Sequence, residues 1–372
     1  MMKVFGPKEL HEDVQKKDLC IGCGACVELC RYFRNYKGKT AMIFPCTLTQ
    51  GRCYAHCPKA EVDFDFLASK YWGEPYEGRP LGKYLEVRAA KAGDRMNKGT
   101  FQGGGTVSAL LTLAMETGLI EAAALTDREG LVPTPRLVTG PEEVVKCASS
   151  KYMASPTLAG FNLGVRKGYG RIAVVGTPCQ VTAVAQMRAN PLGKEDFNDP
   201  VALVIGLFCN WGLDTRKLIA LLTEKMDIST IQGMDIPPPP AEVLILETAN
   251  GEVKIPLEEI RPLVPNSCHI CPDMTSEWAD ISVGMFEGRP GWNTLIIRTS
   301  AGLKLVDQAC QSGFLITEKM PEPNLDHLIE AASNKKKKAL LKAQQDGVLN
   351  TKQEDQRSAI RMRAEVIERI TA

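Results

Sequence analysis

Four cysteines fall in the twelve residues 19–30, "LCIGCGACVELC", and no other stretch restricts the fold as strongly. The spacing is Cys20-x2-Cys23-x2-Cys26-x3-Cys30, followed by Cys46-x6-Cys53-x3-Cys57-Pro58. Seven of the thirteen cysteines therefore lie between residues 20 and 57. A zinc ribbon needs two CxxC pairs separated by a longer loop, and three thiolates at x2 intervals crowd one tetrahedral ion. Disulfides need an oxidising compartment. The leading residues, "MMKVFGPKELHEDVQKKD", hold no apolar core of a signal peptide. The pattern suits a cysteine-ligated iron–sulfur cluster. Gly22 and Gly24 let the backbone wrap such a cluster closely.

The simplest assignment builds one [4Fe–4S] site from Cys20, Cys23, Cys26 and remote Cys57. Cys30, Cys46 and Cys53 then supply three ligands to a second site. Its fourth place falls to His56, an Asp, water or no group. A small ferredoxin-like iron–sulfur segment is expected over residues 1–70. A Gly-, Pro- and Tyr-rich linker follows at 71–84.

Residues 85–323 read as an α/β domain. "GGGTVSALLTLAMETG" is a glycine-opened helix closed by Gly118. "EAAALTD", "RIAVVG" and "VALVIGLFC" read as short buried strands. "TPCQVTAVAQM" is a helix with Pro178 near its start. Four prolines at 237–240 precede a hairpin around Asn250-Gly251. "ADISVGMFEGRPGWNTLIIRT" is strand, turn, strand. There Trp292 and Arg298 are either partners of a planar anionic cofactor or ordinary core and surface residues. Residues 324–372 form a polar helical tail, whose run Lys335–Lys338 reads as a solvated face or a partner contact.

A net charge of +1 gives no argument for nucleic acid. No apolar run reaches the length of about 18 residues that a membrane span needs. "ALLTLAMETGLIEAAAL" is broken by Glu116 and Glu121. A cytoplasmic protein is expected. Four histidines and no Ser–His–Asp pattern leave no catalytic side chain to single out.

Within the α/β region, Cys179 follows one predicted strand and Cys209 ends another. Ligands of open α/β sheets bind beyond the carboxyl ends of strands. Cys268-x2-Cys271 completes a set of four, whereas Cys147 and Cys310 read as structural. Gly103, Gly104 and Gly105 stand at a helix N-terminus, where free N–H groups favour a phosphate. Thr100, Thr106 and Ser108 add hydroxyls there. The loop is not GxGxxG, so it reads equally as a flexible loop or a phosphate site.

The segments "FQGGGTVSALLTLAMETGLIEAAAL", "SSKYMASP", "VVGTPCQ", "GLFCN" and "CHICPDMTSEWADISVG…GWNTLIIRT" occur in this order. Together, over roughly residues 85–345, the chain resembles the beta subunits of coenzyme F420-reducing hydrogenases and F420-dependent formate dehydrogenases. The ferredoxin-like segment resembles an extension found in longer members. The resemblance implies an α/β flavin-binding domain holding FAD and a [4Fe–4S] cluster, two or three clusters in all. The ligands map onto Cys179, Cys209, Cys268 and Cys271. FAD maps onto Thr100, Gly103, Gly104, Gly105 and Thr106, onto Lys151 and Tyr152, and onto Asp280, Ser282 and Gly284 of "ADISVG". The implied work is transfer between one-electron clusters and a hydride carrier, coenzyme F420 or NAD(P), through FAD. The implied partners are subunits of a hydrogenase, a formate dehydrogenase or a heterodisulfide-reductase-like assembly. The alternatives are an NAD(P)H- or ferredoxin-linked relay and a flavin-free iron–sulfur adaptor.

Overall fold

The structure is a computed structural model that describes residues 4–96, 101–192, 199–238, 240–351 and 356–372. Its centre is an eight-stranded mixed sheet. In chain order the strands are β1 (Glu86–Ala92), β2 (Ala122–Glu129), β3 (Val132–Val138), β4 (Ile172–Gly176), β5 (Val201–Leu207), β6 (Ile281–Met285), β7 (Asn293–Ile297) and β8 (Leu315–Lys319). They lie side by side as β8-β1-β7-β6-β5-β4-β2-β3. The four central strands β6, β5, β4 and β2 are parallel, and the outer pairings are antiparallel. Their sequences explain this. "IAVVG" and "VALVIGL" are continuous apolar runs, as strands covered on both faces must be.

Each face carries helices. On one, Leu110 and Leu113 of α1 (Thr106–Glu116) and Leu305 and Val306 of α4 (Ser300–Gln311) pack over Leu203, Ile205 and Leu295. On the other, Leu158 and Phe161 of α2 (Thr157–Arg166) and Val181 and Val184 of α3 (Pro178–Ala189) pack over Val174 and Val204. The same cluster takes in Leu10, Leu19, Phe33 and Tyr54, so the N-terminal cysteine segment shares a core with this face. Between β5 and β6 the chain inserts helix Thr215–Lys225 and a three-stranded antiparallel sheet. That sheet includes the expected hairpin, Val243–Thr248 against Gly251–Pro256.

The C-terminal end is helical, with α5 (Glu322–Gln345) and α6 (Ala364–Thr371). It returns to the N-terminal segment. Leu349–Asn350 pairs with Ile360–Arg361, which pairs with Val62–Asp63. Arg357 bridges to Asp13 at 2.6 Å, and Arg361 pairs with Glu61.

Two sequence expectations need correction. The charge run on α5 is not a solvated face throughout, because Lys336 is fully buried against Glu277 and donates to the Tyr76 hydroxyl at 2.8 Å. The stretch 71–84, expected as a linker, is packed. Tyr76 and Leu81 are buried, and Trp72 stacks on Trp278 at 4.8 Å between ring centroids. In both cases a distant partner, Glu277 or Trp278, supplies what the local sequence lacks.

Candidate functional site

Parallel pairing of β4 and β5 sends Cys179 and Cys209 out of the same end of the sheet. Cys179 opens α3, behind a reciprocal cap in which Thr177 N–H donates to Gln180 Oε1 at 2.9 Å. The Thr177 hydroxyl lies 3.2 Å from Cys179 Sγ. Cys209 N–H donates to the Met274 carbonyl at 2.9 Å, which ties the strand end to the loop after Cys271. Cys268 lies in the helical turn Asn266–His269, and Cys271 N–H donates to its carbonyl at 3.1 Å. The four thiols feel one another. Burial pushes Cys179 up to about 12, and Cys271 and Cys268 add to it. Burial also raises Cys209, against the nearby Lys335 ammonium, with Cys268, Cys179 and Cys271 adding to the rise.

The N-terminal thiols adjoin one another. Cys20, Cys23, Cys26, Cys53 and Cys57 line one cavity, closed by Leu10 and Val14. Burial raises Cys23 and Cys26, and the neighbouring thiols raise them further. Burial pushes Cys57 up to about 12. Cys53 is pushed up to about 11 by burial, with Cys30 and Cys46 as its thiol neighbours. Cys179 is among the groups that raise Cys23, so the N-terminal and α/β sets adjoin.

Four side chains outside the predicted set hold these loops together. Asn162 of α2 donates to the Gly24, Ala25 and Val27 carbonyls at 3.3, 3.1 and 2.7 Å. Gln186 of α3 donates to the Cys57 carbonyl at 2.7 Å. Buried Lys59 reaches the Ser267 carbonyl at 2.7 Å. Lys335 of α5 caps the α/β set from the far side, donating to the Cys209 carbonyl and, at 2.7 Å, to that of Asp273. Lys59, directly after Cys57-Pro58, is the one whose position in sequence points to a role; the helix residues carry no such local signal.

Among the described residues, no three His, Cys, Asp or Glu side chains close tightly enough on one point to hold a single metal ion. Sets made of thiols alone suit an iron–sulfur cluster, in which each thiolate would bind its own iron. Thiols that are neutral when free must lose their protons to a metal.

The glycine loop enters α1 through Gly105, whose φ of +71° is glycine territory. Gly104 is glycine for a protein reason. A Cβ there would stand 2.6 Å from Asn293 Oδ1 and 3.0 Å from the Ala90 carbonyl. Asn293 Nδ2 in turn donates to the Gly284 carbonyl at 3.1 Å, and a Cβ on Gly284 would overlap the Phe208 ring, next to Cys209. Thr106 Oγ1 is buried at the start of α1 without a hydrogen-bond partner. A flavin phosphate or hydroxyl fits that need. Gln102 joins the loop to the second predicted segment. It donates to the Tyr152 hydroxyl at 3.1 Å and accepts from Ser150 N–H at 2.6 Å, while Tyr152 donates to Asp235 at 2.7 Å. Lys151 turns back onto Cys147 and Ser149 carbonyls.

Other predicted residues stand apart from this group. Asp280 precedes β6, at the opposite end from Cys209, where it accepts from Val204 N–H and the Thr299 hydroxyl. Ser282 is buried between the Ser276 carbonyl and Arg298. Arg298 is itself a core residue, donating to the carbonyls of Leu81, Lys83 and Thr275. Trp292 is buried under Arg289, 3.6 Å from the ring centroid. Thr100 lies outside the described residues.

Comparison with known proteins gives the family. Residues 87–161 match the N-terminal part, and residues 169–323 the C-terminal part, of the family described as coenzyme F420 hydrogenase/dehydrogenase, beta subunit. The coenzyme F420 hydrogenase subunit beta of Methanothermobacter thermautotrophicus is 30% identical over 266 residues, covering 70% of this chain and 94% of that protein. A subunit of the F(420)H(2) dehydrogenase of Methanosarcina mazei is 30% identical over 327 residues, covering 86% of this chain and 90% of the relative. A chain in the structure of the F420-reducing [NiFe] hydrogenase complex from Methanosarcina barkeri superposes with a TM-score of 0.66 at 26% identity, covering 72% of this chain and 93% of that one. The eight-stranded sheet, the cysteines at its strand ends and these matches lead to one assignment: the chain belongs to the family of coenzyme F420 hydrogenase/dehydrogenase beta subunits.

Proposed function

We propose that this chain is an oxidoreductase subunit that passes electrons between iron–sulfur clusters and coenzyme F420 through FAD, in a cytoplasmic complex with further redox subunits. The observation that carries the reading is a continuous line of contacts. It runs from Cys209 through neighbouring Phe208, to Gly284, to Asn293, and to the Gly104–Thr106 loop. A group held on that loop would lie one strand, β6, away from a group held by Cys179, Cys209, Cys268 and Cys271. FAD, when bound, supplies the exchange between single electrons and a hydride. The chain's residues do the positioning. Thr106 and the α1 N-terminus bind the phosphate side. Gln102, Tyr152 and Asp235 hold the loop against the inserted sheet. The four α/β thiols hold one cluster, and Cys20, Cys23, Cys26 and Cys57 hold a second. Cys30, Cys46 and Cys53 are offered to a third.

The test is anaerobic. Iron and flavin are quantified, and reduction of coenzyme F420 and of NAD(P) is followed side by side with reduced viologen as donor. Reduction of F420 alone is expected. Reduction of NAD(P) alone would assign a nicotinamide as substrate, and flavin-free protein would refute the FAD site. Cys179→Ser is expected to lose the α/β cluster and leave the N-terminal iron; unchanged iron would sink the ligand set. Thr106→Val, equal in volume, is expected to lower flavin occupancy without unfolding the chain.

A further inference from the structure

Between Leu29 and Ala60 the chain has six basic residues and no acidic one, although its overall charge is +1. These 32 residues surround the thiols of Cys30, Cys46 and Cys53. The structure turns four of these six charges outward, while Lys59 is buried and Lys39 pairs with Asp18. Phe33–Tyr36 and Lys39–Met42 form a hairpin, whose turn residues Lys37 and Gly38 have φ of +45° and +80°. Arg31, Arg34, Lys37 and Arg52 are all exposed, and none has an acidic partner among the described residues. The nearby acids are committed to other cations, Glu28 to Arg166 and Asp18 to Lys39.

The same segment exposes apolar surface. Tyr36, Leu48 and Phe44 are the three most exposed large apolar side chains among the described residues, at 69, 64 and 58%. They are not scattered. Phe44 meets the Tyr32 ring edge-on at 6.0 Å, Arg31 lies over Tyr32, and Phe44 and Leu48 flank Cys46. Aromatic residues and arginine together, beside the Cys30, Cys46 and Cys53 thiols, have the composition of a protein interface. Small transient electron-transfer contacts use such patches, and charge sets their encounter rate.

We propose that the hairpin 33–42 and the loop 43–50 form the docking surface for an acidic one-electron carrier protein, which exchanges electrons with the cluster of Cys30, Cys46 and Cys53. The inference rests on the functional reading above and adds its partner. In the direction of F420 reduction, each docked carrier is oxidised by one electron and the cluster is reduced by one. Two such encounters and one proton supply the hydride. Surface charge explains the choice of an acidic partner. An uncharged or basic carrier gains nothing from Arg31, Arg34, Lys37 and Arg52.

The test uses the purified holoprotein and a small acidic ferredoxin as probe. Ferredoxin-driven F420 reduction is measured against ferredoxin concentration and ionic strength, with viologen-driven reduction as the basal activity. Arg31→Glu/Arg34→Glu/Lys37→Glu is expected to raise KM for ferredoxin at least tenfold and to flatten its salt dependence. Phe44→Ser/Leu48→Ser is expected to raise KM with the salt dependence kept. Iron content and viologen-driven rate are expected to stay at the wild-type value in both. Unchanged KM with intact clusters overturns the docking surface and leaves the functional reading standing. Absence of iron, or of viologen-driven reduction, overturns the functional reading and the inference with it. Two further outcomes overturn the partner assigned here: patch-dependent binding to anionic phosphatidylglycerol vesicles, or a dimer that the Phe44→Ser/Leu48→Ser variant dissociates.

Discussion

The Lys59 ammonium donates to the Ser267 carbonyl at 2.7 Å, so a cation from the N-terminal segment stands beside both Cys57 and Cys268. A fixed positive charge favours the more negative, reduced form of a cluster. Lys59→Met is expected to lower the midpoint potential of the cluster at Cys179, Cys209, Cys268 and Cys271. A screened interaction of about 1–2 kcal/mol corresponds to about 40–90 mV in a one-electron couple. Potentiometric titration followed by electron paramagnetic resonance measures it. Lys59→Arg, which keeps the charge, should restore most of the potential. A lysine that acts only by packing would leave the potential where it is.

Lys336 and Glu277 form a buried pair at 0 and 1% side-chain exposure, completed by Tyr76 and the Arg79 carbonyl. Burial raises the Glu277 carboxyl, and Lys336 pulls it back down. Lys336→Met leaves a buried carboxyl without its counter-ion, at a cost of about 3–5 kcal/mol. Pairing it with Glu277→Leu removes the orphaned acid and should recover most of that loss. Chemical unfolding of the two variants under anaerobic conditions measures both effects. Equal destabilisation of the single and double variants would mean that the pair acts through packing alone.

What the sequence disclosed, and what it hid, follows from this pair and its neighbours. β4 and β5 were readable because an unbroken apolar run has few alternatives to a buried strand. The run Cys20, Cys23, Cys26 was conspicuous because its spacing is local along the chain, whereas the α/β thiols were grouped only from strand ends and from the family resemblance. Lys336 was not readable, since a lysine in a charge run looks solvated until Glu277, 59 residues away, is brought to it. The stretch 71–84 has the glycines and prolines of a linker, and only Trp278 and Arg298 convert it into packed structure. Gly104 could be read as a cofactor glycine; the closest atoms to its missing side chain belong to Asn293 and Ala90. Propensity and spacing carry no information on contacts of this range.

His56 gives a pH-dependent stability. Burial holds its imidazole down at about 4, against an ordinary 6.5. The unfolded chain therefore binds a proton that the folded chain refuses between those two values. Stability from this residue is complete above 6.5 and is lost as pH falls toward 4. The full window is worth about 3 kcal/mol, and about 1.4 kcal/mol of it is lost by about pH 5.5. His56→Gln is expected to remove that part of the slope. The check is the difference in unfolding midpoint between about pH 7 and about pH 5.5, wild type against variant. Identical slopes would mean that His56 is protonated in the folded protein.

Asn162 offers one carboxamide to three backbone carbonyls of the Cys23–Cys26 loop, those of Gly24, Ala25 and Val27. The loop has no strand or helix of its own to fix it, and a Cβ at Gly24 would lie 2.5 Å from the Pro156 carbonyl, so the fit to α2 is already close. Asn162→Leu keeps the branched outline at a larger volume and removes the donor, leaving buried carbonyls unpaired at a cost of about 1–3 kcal/mol, to which overpacking adds. Loop order and thiolate geometry should fail together. The expected result is a fall in iron equal to the cluster of Cys20, Cys23, Cys26 and Cys57, with the α/β cluster retained. Asn162→Asp should do worse, because it aims a carboxylate at the same carbonyls. Full iron in Asn162→Leu would reverse the order of cause: the cluster would then be holding the loop in place, and α2 would only accept a surface that ligation had already shaped.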